Sequence, residues 1–346
     1  LGRAITEAIV QEYNHKELIS RLSDPYFFQS LGCVLGFDWH SSGVTTTVCG
    51  ALKEAVNNEN IGLFIAGGKG NASRKAPEQI EAAAERFNIS TQKSQRLVYS
   101  SRMSAKVDNS LLQDSYQLYH HCFFVTERGE WSVVQQGMSS AESYARRYHW
   151  LSDSMGDFVE EPHSAICTEQ KEKNALDMTS HKSREARKTS VDILNEGDFR
   201  RFFRDVKQST LSDFRGGISR LGMQRSHLIR GMRETDIRTL EKARDHSPKN
   251  YEELTAIKGM GPKMIRSLAL ISDIVYGDSA SWKDPAKFSF AHGGKDGVPY
   301  PVNRRLMDDA THALNDAVRQ ARLGDRDRTM AIRKLAGLIE ENNREL

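Results

Sequence analysis

The sequence predicts an α+β or α/β N-terminal domain followed by an all-α C-terminal domain containing a helix-hairpin-helix. Three observations lead there. Apolar residues in the first half fall alternately at helical intervals and in short runs. Residues 167–183 form a polar stretch with neither sustained periodicity nor aromatic residues, and helical spacing dominates beyond it. At 346 residues the chain exceeds one compact core, so a division into 1–166 and 184–346, joined by a linker over 167–183, follows.

Taken in order, residues 5–22 space Ile5, Ile9, Val10, Tyr13, Leu18, Ile19 and Leu22 as a helix does and stop before Asp24-Pro25. The apolar runs at 33–37 and 62–66 alternate with helices expected over 44–56 and from Pro77 to Phe87. The runs at 119–126 and 131–135 flank Glu127-Arg128-Gly129-Glu130, whose length and glycine suit a hairpin. Beyond the linker, helices are expected over 183–206, 236–244, 251–276, 303–322 and 326–342, with one irregular stretch at 278–301.

Composition narrows the function classes. With 38% hydrophobic and 27% charged residues the chain reads as globular and polar-surfaced, and no apolar run approaches the roughly 20 residues a membrane helix needs. A cytoplasmic, nucleoid-associated location without a membrane partner is therefore expected, and a homo-oligomer is left open. Cys33, Cys49, Cys122 and Cys167 contain no C-x-x-C pair and read as buried free thiols. Residues 181–275 carry 20 Lys+Arg against 13 Asp+Glu, leaving 29 against 33 elsewhere. So uneven a balance is the footprint of a nucleic-acid surface, although a solvated helix face can also be basic.

The basic segment contains Leu254-Thr255-Ala256-Ile257-Lys258-Gly259-Met260-Gly261-Pro262-Lys263-Met264-Ile265-Arg266-Ser267-Leu268. Apolar residues flank a Gly-x-Gly turn at the intervals two short packed helices require, which resembles the helix-hairpin-helix family. Gly259 and Gly261 permit close backbone approach, and Pro262 fits a first helical turn. The amides at that helix start, with Lys258, Lys263 and Arg266, would face phosphate. Lys295, in a glycine-rich loop, is a further candidate contact. Largely sequence-independent DNA binding is the expectation, because phosphate contacts position a protein but read no bases.

Chemistry is expected in the N-terminal part, where polar residues stand in apolar or turn contexts. Phosphodiester hydrolysis needs carboxylates, often with histidine, to hold Mg2+ or Mn2+, plus a cation to offset phosphate charge. Asp38, Asp108, Asp114, Glu161 and His163 are the candidate metal ligands. Lys69, Lys106 and Arg147 are candidate cations, His40 and His149 candidate bases or ligands, and Gln113 and Gln136 candidate polar partners. The same residues admit plainer roles: Asp38 as a helix cap, Arg147 as half of a solvated pair, the 66–70 glycines as a phosphate cradle lacking the P-loop spacing. A metal-dependent deoxyribonuclease in repair or recombination is the leading expectation. The alternatives are a glycosylase or abasic-site lyase using Lys263, for which Asp278 and Asp284 only bracket the expected carboxylate, and a non-enzymatic DNA-binding module or repair adaptor.

Several stretches together resemble the family called "domain of unknown function 763". They are 21–25 (RLSDP), 35–46 (LGFDWHSSGVTT), 66–70 (AGGKG), 105–108 (AKVD), 113–114 (QD), 131–138 (WSVVQQGM), 145–150 (ARRYHW), 161–163 (EPH) and 288–297 (FSFAHGGKDG). The resemblance implies a further His- and Gly-containing segment ahead of residue 1 that could complete a site, and it supplies no settled catalytic assignment.

Overall fold

The computed structural model describes residues 1–37, 42–139, 144–196, 234–289, 294–295, 298–299 and 304–344. At its centre is a five-stranded antiparallel sheet in the order β1 (Leu63–Lys69), β3 (Tyr116–Thr126), β4 (Trp131–Ser139), β5 (Ala145–Leu151) and β6 (His163–Thr168). The expected hairpin is there: Val125 opposes Trp131, and Gly129 takes φ +78° in the turn. Antiparallel pairing throughout this sheet makes the region α+β rather than a βαβ fold.

Helices cover both faces, which is why β3, β4 and β5 are buried almost without alternation. On one face lie α1 (Gly2–Glu12), α2 (His15–Ser23), α3 (Pro25–Leu35) and α4 (Val44–Val56). Their apolar sides form one core with Cys122, Phe124 and Val134 of the sheet. On the other lie α5 (Ala76–Arg86) and α6 (Thr91–Ser110), whose core includes Phe123, Val133, Tyr148 and Trp150. Trp131 stacks on Phe123 with ring centroids 5.3 Å apart.

The first segment is two helices, not one. Asn14 accepts a hydrogen bond from the Glu17 amide (2.8 Å), starting α2. Asp24-Pro25, read as a stop, is also a start: Asp24 caps the Phe27 amide at 2.8 Å, and Pro25 occupies the first turn, where its missing N–H costs nothing. The apolar run at 33–37 is therefore the end of α3, closed by Gly36 at φ +99°, and not a strand.

Residues 167–183, expected as a mobile linker, are largely bonded into the fold. β6 runs to Thr168, β7 (Leu176–Asp177) pairs with β2 (Leu112–Gln113), and Ala175, Leu176, Met178 and Ser183 are fully buried. Asp177 is buried too, its Oδ1 accepting from the Thr179 and Ser180 amides and the Thr179 hydroxyl. After it come α7 (Arg184–Glu196), α8 (Glu234–Asp245), α9 (Tyr251–Ala256) and α10 (Pro262–Ile271), all of which join the core of the α5–α6 face. Helices α11 (Arg304–Gln320) and α12 (Asp325–Arg344) instead pack on α1 and α3 at the opposite side. The helical second half thus divides its packing between both faces.

The irregular stretch at 278–301 contains a strap rather than a free loop in its described part. Ser281 bridges Asp177, Phe288 bridges Cys167, and short strands β8 (Gly294–Lys295) and β9 (Val298–Pro299) pair with each other. No helix among the described residues is long and apolar enough to cross a membrane.

Candidate functional site

The segment singled out for DNA forms two helices joined by a tight turn. Asn250 caps α9 by accepting from the Glu253 amide at 2.8 Å, and the turn brings Met260 N to 3.1 Å from Ile257 O. The two glycines do different work. Gly259 sits at φ +96°, and a Cβ there would lie 2.9 Å from Thr239 Cγ2 on α8. Gly261 is the residue before α10, extended at φ −106°, with nothing closer than 3.9 Å to a Cβ built on it. It is conformationally replaceable, so its small size matters only to something arriving from outside. Pro262 opens α10; Lys258, Gly259, Pro262 and Lys263 are exposed.

Two residues expected to be catalytic brace this turn instead. Lys106 Nζ on α6 donates to Ile257 O at 2.5 Å, and Gln113 Nε2 donates to Pro262 O at 2.7 Å while its Oε1 accepts from Arg266 Nε at 2.7 Å. Burial brings the Lys106 ammonium down to about 8. Lys263 forms an ion pair with Asp236. Arg266 is half-buried, so among the DNA candidates it helps to fix the hairpin. Lys295 lies in β8, and its side chain is outside the described residues.

The expected carboxylates do not come together. Asp108 is fully buried on α6, its Oδ2 accepting from Gln135 Nε2 (2.5 Å) and Trp150 Nε1 (3.0 Å) and its Oδ1 facing His163 Nε2 at 2.5 Å. The chain of bonds continues from Gln135 Oε1 to His121 Nδ1 and from His121 Nε2 to Ser101 Oγ, both at 2.8 Å. Burial lowers His121 to about 4, so this imidazole is neutral.

Asp114 belongs to a second network. Arg146 reaches Asp114 at 2.9 Å and Asp284 at 2.5 Å, all three side chains being at most 3% exposed. Tyr148 Oη and the Tyr116 amide also donate to Asp114. Burial raises its carboxyl to about 6 against the opposing pull of Arg146. Glu161 is exposed at φ +46°, engaged with the His181 amide. With every oxygen of Asp108 and Asp114 occupied, the Mg2+ or Mn2+ set expected from Asp108, Asp114, Glu161 and His163 is not assembled. Asp38 and His40 lie outside the described residues.

What does converge is the other sheet face. Antiparallel register aligns His120, Gln136, Arg147 and Cys167 across β3 to β6, with His149 two residues along. The Arg147 guanidinium is fully buried; it donates to His149 Nε2 (2.8 Å), Gln29 Oε1 (2.9 Å) and Thr45 Oγ1 (3.4 Å), and lies 4.9 Å from the Phe28 ring centroid. Burial and that neighbouring cation hold His149 well below the usual imidazole range. Gln136 Nε2 donates to Ser42 O at 3.1 Å, just before α4, and its Oε1 has no partner among the described residues. Beside it, Cys49 of α4 and His120 and Cys122 of β3 bring their donor atoms within 4.8 Å of one another, and neither ring nitrogen of His120 has a nitrogen or oxygen partner among the described residues.

A family model described as "Protein of unknown function (DUF763)" matches residues 1–302. The chain belongs to that family. No curated protein and no solved structure matches it. In this DUF763 chain several of the stretches that carried the resemblance lie on the sheet: 131–138 in β4, 145–150 in β5, 161–163 leading into β6.

The 66–70 stretch is strand, not cradle. Gly67 pairs with Cys122 and Lys69 with His120, and a Cβ on Gly67 would lie 2.2 Å from His121 O, so the glycine serves strand-to-strand approach. Lys69 is exposed at the end of β1, 5.9 Å from the Tyr119 ring centroid. Reading the sequence missed Ser101, the Cys49–Cys122 proximity and the buried ion pairs of Arg146, weighed there with Arg147 as a phosphate clamp or a solvated pair. The signal available was His-x-Cys on a strand, with both side chains on one face, set against a cysteine of a predicted helix.

Proposed function

We propose that this protein binds DNA through its phosphodiester backbone with little regard to base sequence, α9 and α10 acting as a helix-hairpin-helix. The observation that carries this reading is the start of α10. Its first-turn amides emerge beside a replaceable glycine, a proline that needs no hydrogen bond, and the exposed Lys258 and Lys263. Amides at a helix start attract phosphate oxygens through the helix dipole, and lysines add charge. The turn is held by Lys106 and Gln113 from the sheet-bearing part, which would orient bound DNA relative to the sheet. The surplus of Lys+Arg in 181–275 favours a nucleic-acid partner at the level of sequence, and 9 Lys+Arg against 3 Asp+Glu of it fall in 197–233, outside the described residues.

As the reaction we propose Mg2+- or Mn2+-dependent phosphodiester hydrolysis, in DNA repair or recombination. Its support is the buried Arg147 and His149 of β5, together with the sequence, which sets Asp38 and His40, both outside the described residues, in the stretch 35–46. The imine chemistry considered for Lys263 draws less support: its amine is engaged by Asp236, Asp278 accepts from Thr189 Oγ1 at 2.5 Å, and Asp284 is committed to Arg146.

Labelled duplexes of two unrelated sequences, with and without each ion, test both parts. Equal affinities within about threefold are expected, far below the ~10³-fold or more that separates specific from non-specific binding. Cleavage products should appear only with the ion. Absence of binding, or a preference on the specific scale, would overturn the binding reading, whereas binding without cleavage of any DNA form would leave a repair adaptor in place of the nuclease.

A further inference from the structure

Cys49, His120 and Cys122 lie on two elements that the fold presses together. His120 and Cys122 alternate onto the same face of β3, and Cys49 comes from the buried side of α4. All three are at most 1% exposed, and their donor atoms fall within 4.8 Å of one another. His120 is the anomaly. Among the described residues this buried imidazole has no nitrogen or oxygen partner, only the adjoining Cys122 thiol, a weak one, and native cores rarely leave a buried polar group so poorly met. Gln136, opposite His120 in the β3–β4 register, leaves its buried Oε1 unmatched among the described residues as well.

We propose that Cys49, His120 and Cys122 bind one zinc ion that ties α4 to the sheet. Two thiolates and an imidazole are the donor set that zinc takes in preference to Mg2+ or Mn2+, which want oxygen. Ligands at about 2.3 Å (sulfur) and 2.0 Å (nitrogen) in a tetrahedron stand a little under ~4 Å apart, so small rotamer adjustments close the observed spacing. Two thiolates cancel the charge of the ion, so no net charge is buried. One ring nitrogen of His120 gains its partner, and Gln136 Oε1 is the acceptor on the adjoining strand available to the fourth position. The ion would fix the start of α4, whose Thr45 and preceding Ser42 contact Arg147 and Gln136. This site differs in donors and chemistry from the Mg2+ or Mn2+ of the proposed reaction and does not depend on it.

The test is metal analysis of the intact chain purified without chelator, together with cobalt(II) substitution. One zinc per chain is expected, and a thiolate-to-cobalt charge-transfer band in the reconstituted protein. Cys122→Ser and His120→Gln should weaken zinc binding by more than about 100-fold, beyond the 10–100-fold that loss of an orienting partner costs. Cys33→Ser, which leaves all three proposed ligands in place, should keep the ion. If the ligand variants do not fold, the wild-type cobalt spectrum decides alone. Wild-type protein that takes up neither metal, or that is isolated under reducing conditions with a Cys49–Cys122 disulfide, would overturn the proposal.

Discussion

Arg146→Met is expected to lower the free energy of unfolding by about 3–5 kcal/mol, the range for removing one partner of a buried ion pair. The cause is what remains. Asp114 and Asp284 approach the same guanidinium from the turn after β2 and from the 278–289 strap, and without it two carboxylates face each other in the core. Asp284 also accepts from the Glu172 and Ala286 amides, so losing the arginine should loosen residues 167–176 and the strap together. Adding Asp114→Asn and Asp284→Asn should recover part of the loss, because neutral amides remove the repulsion though not the missing packing. Urea denaturation of the three proteins measures this, and a loss under about 1 kcal/mol for Arg146→Met would show that the network is not a tie.

The second large effect separates the hairpin glycines. Gly259→Val should cost about 2–3 kcal/mol, since a β-branched residue is strained at positive φ and its Cβ meets Thr239. Gly261→Val should cost less than about 1 kcal/mol, its backbone being extended and its surroundings open. Thermal unfolding compares the two. Equal losses would mean that both positions are conformational and that Gly261 is not reserved for an incoming group.

Much of this fold is legible in the sequence, and the exceptions share a cause. Helix α4 over 44–56, helix α5 after Pro77 and the β3–β4 hairpin follow from apolar spacing and turn residues, because those elements bury apolar side chains. Helix α6 does not announce itself. Its buried face includes Ser100 and Ser104, whose hydroxyls bond carbonyls of the helix itself, and Ser101 and Asp108, which His121, His163, Gln135 and Trp150 meet there. The 175–179 segment is hidden in the same way, since Asp177 reads as solvated until the amides of Thr179 and Ser180 are seen around it. A polar stretch whose partners lie far along the chain looks like a linker.

The same limit governs the candidate site. Asp108 and Asp114 drew attention as carboxylates in apolar context, which is equally the signature of a metal ligand and of a buried structural tie. Only geometry distinguishes them, by counting the donors already on each oxygen. Lys106 and Gln113, singled out as catalytic candidates, donate to backbone carbonyls of the turn before α10. Beyond His-x-Cys on a strand, the sequence does not pair Cys49 with Cys122, because it is the packing of α4 on β3 that brings them together.

The central claim is that the start of α10 holds a phosphate, and the salt dependence of duplex binding measures it most directly. Each phosphate contact releases counterions and contributes about −0.9 to the slope of log Kobs against log salt. Gly261→Val combined with Lys263→Ala should weaken binding at low salt by at least about tenfold and flatten that slope by roughly 1–2, in a protein that remains folded. Unchanged affinity and an unchanged slope in the folded double variant would contradict the account.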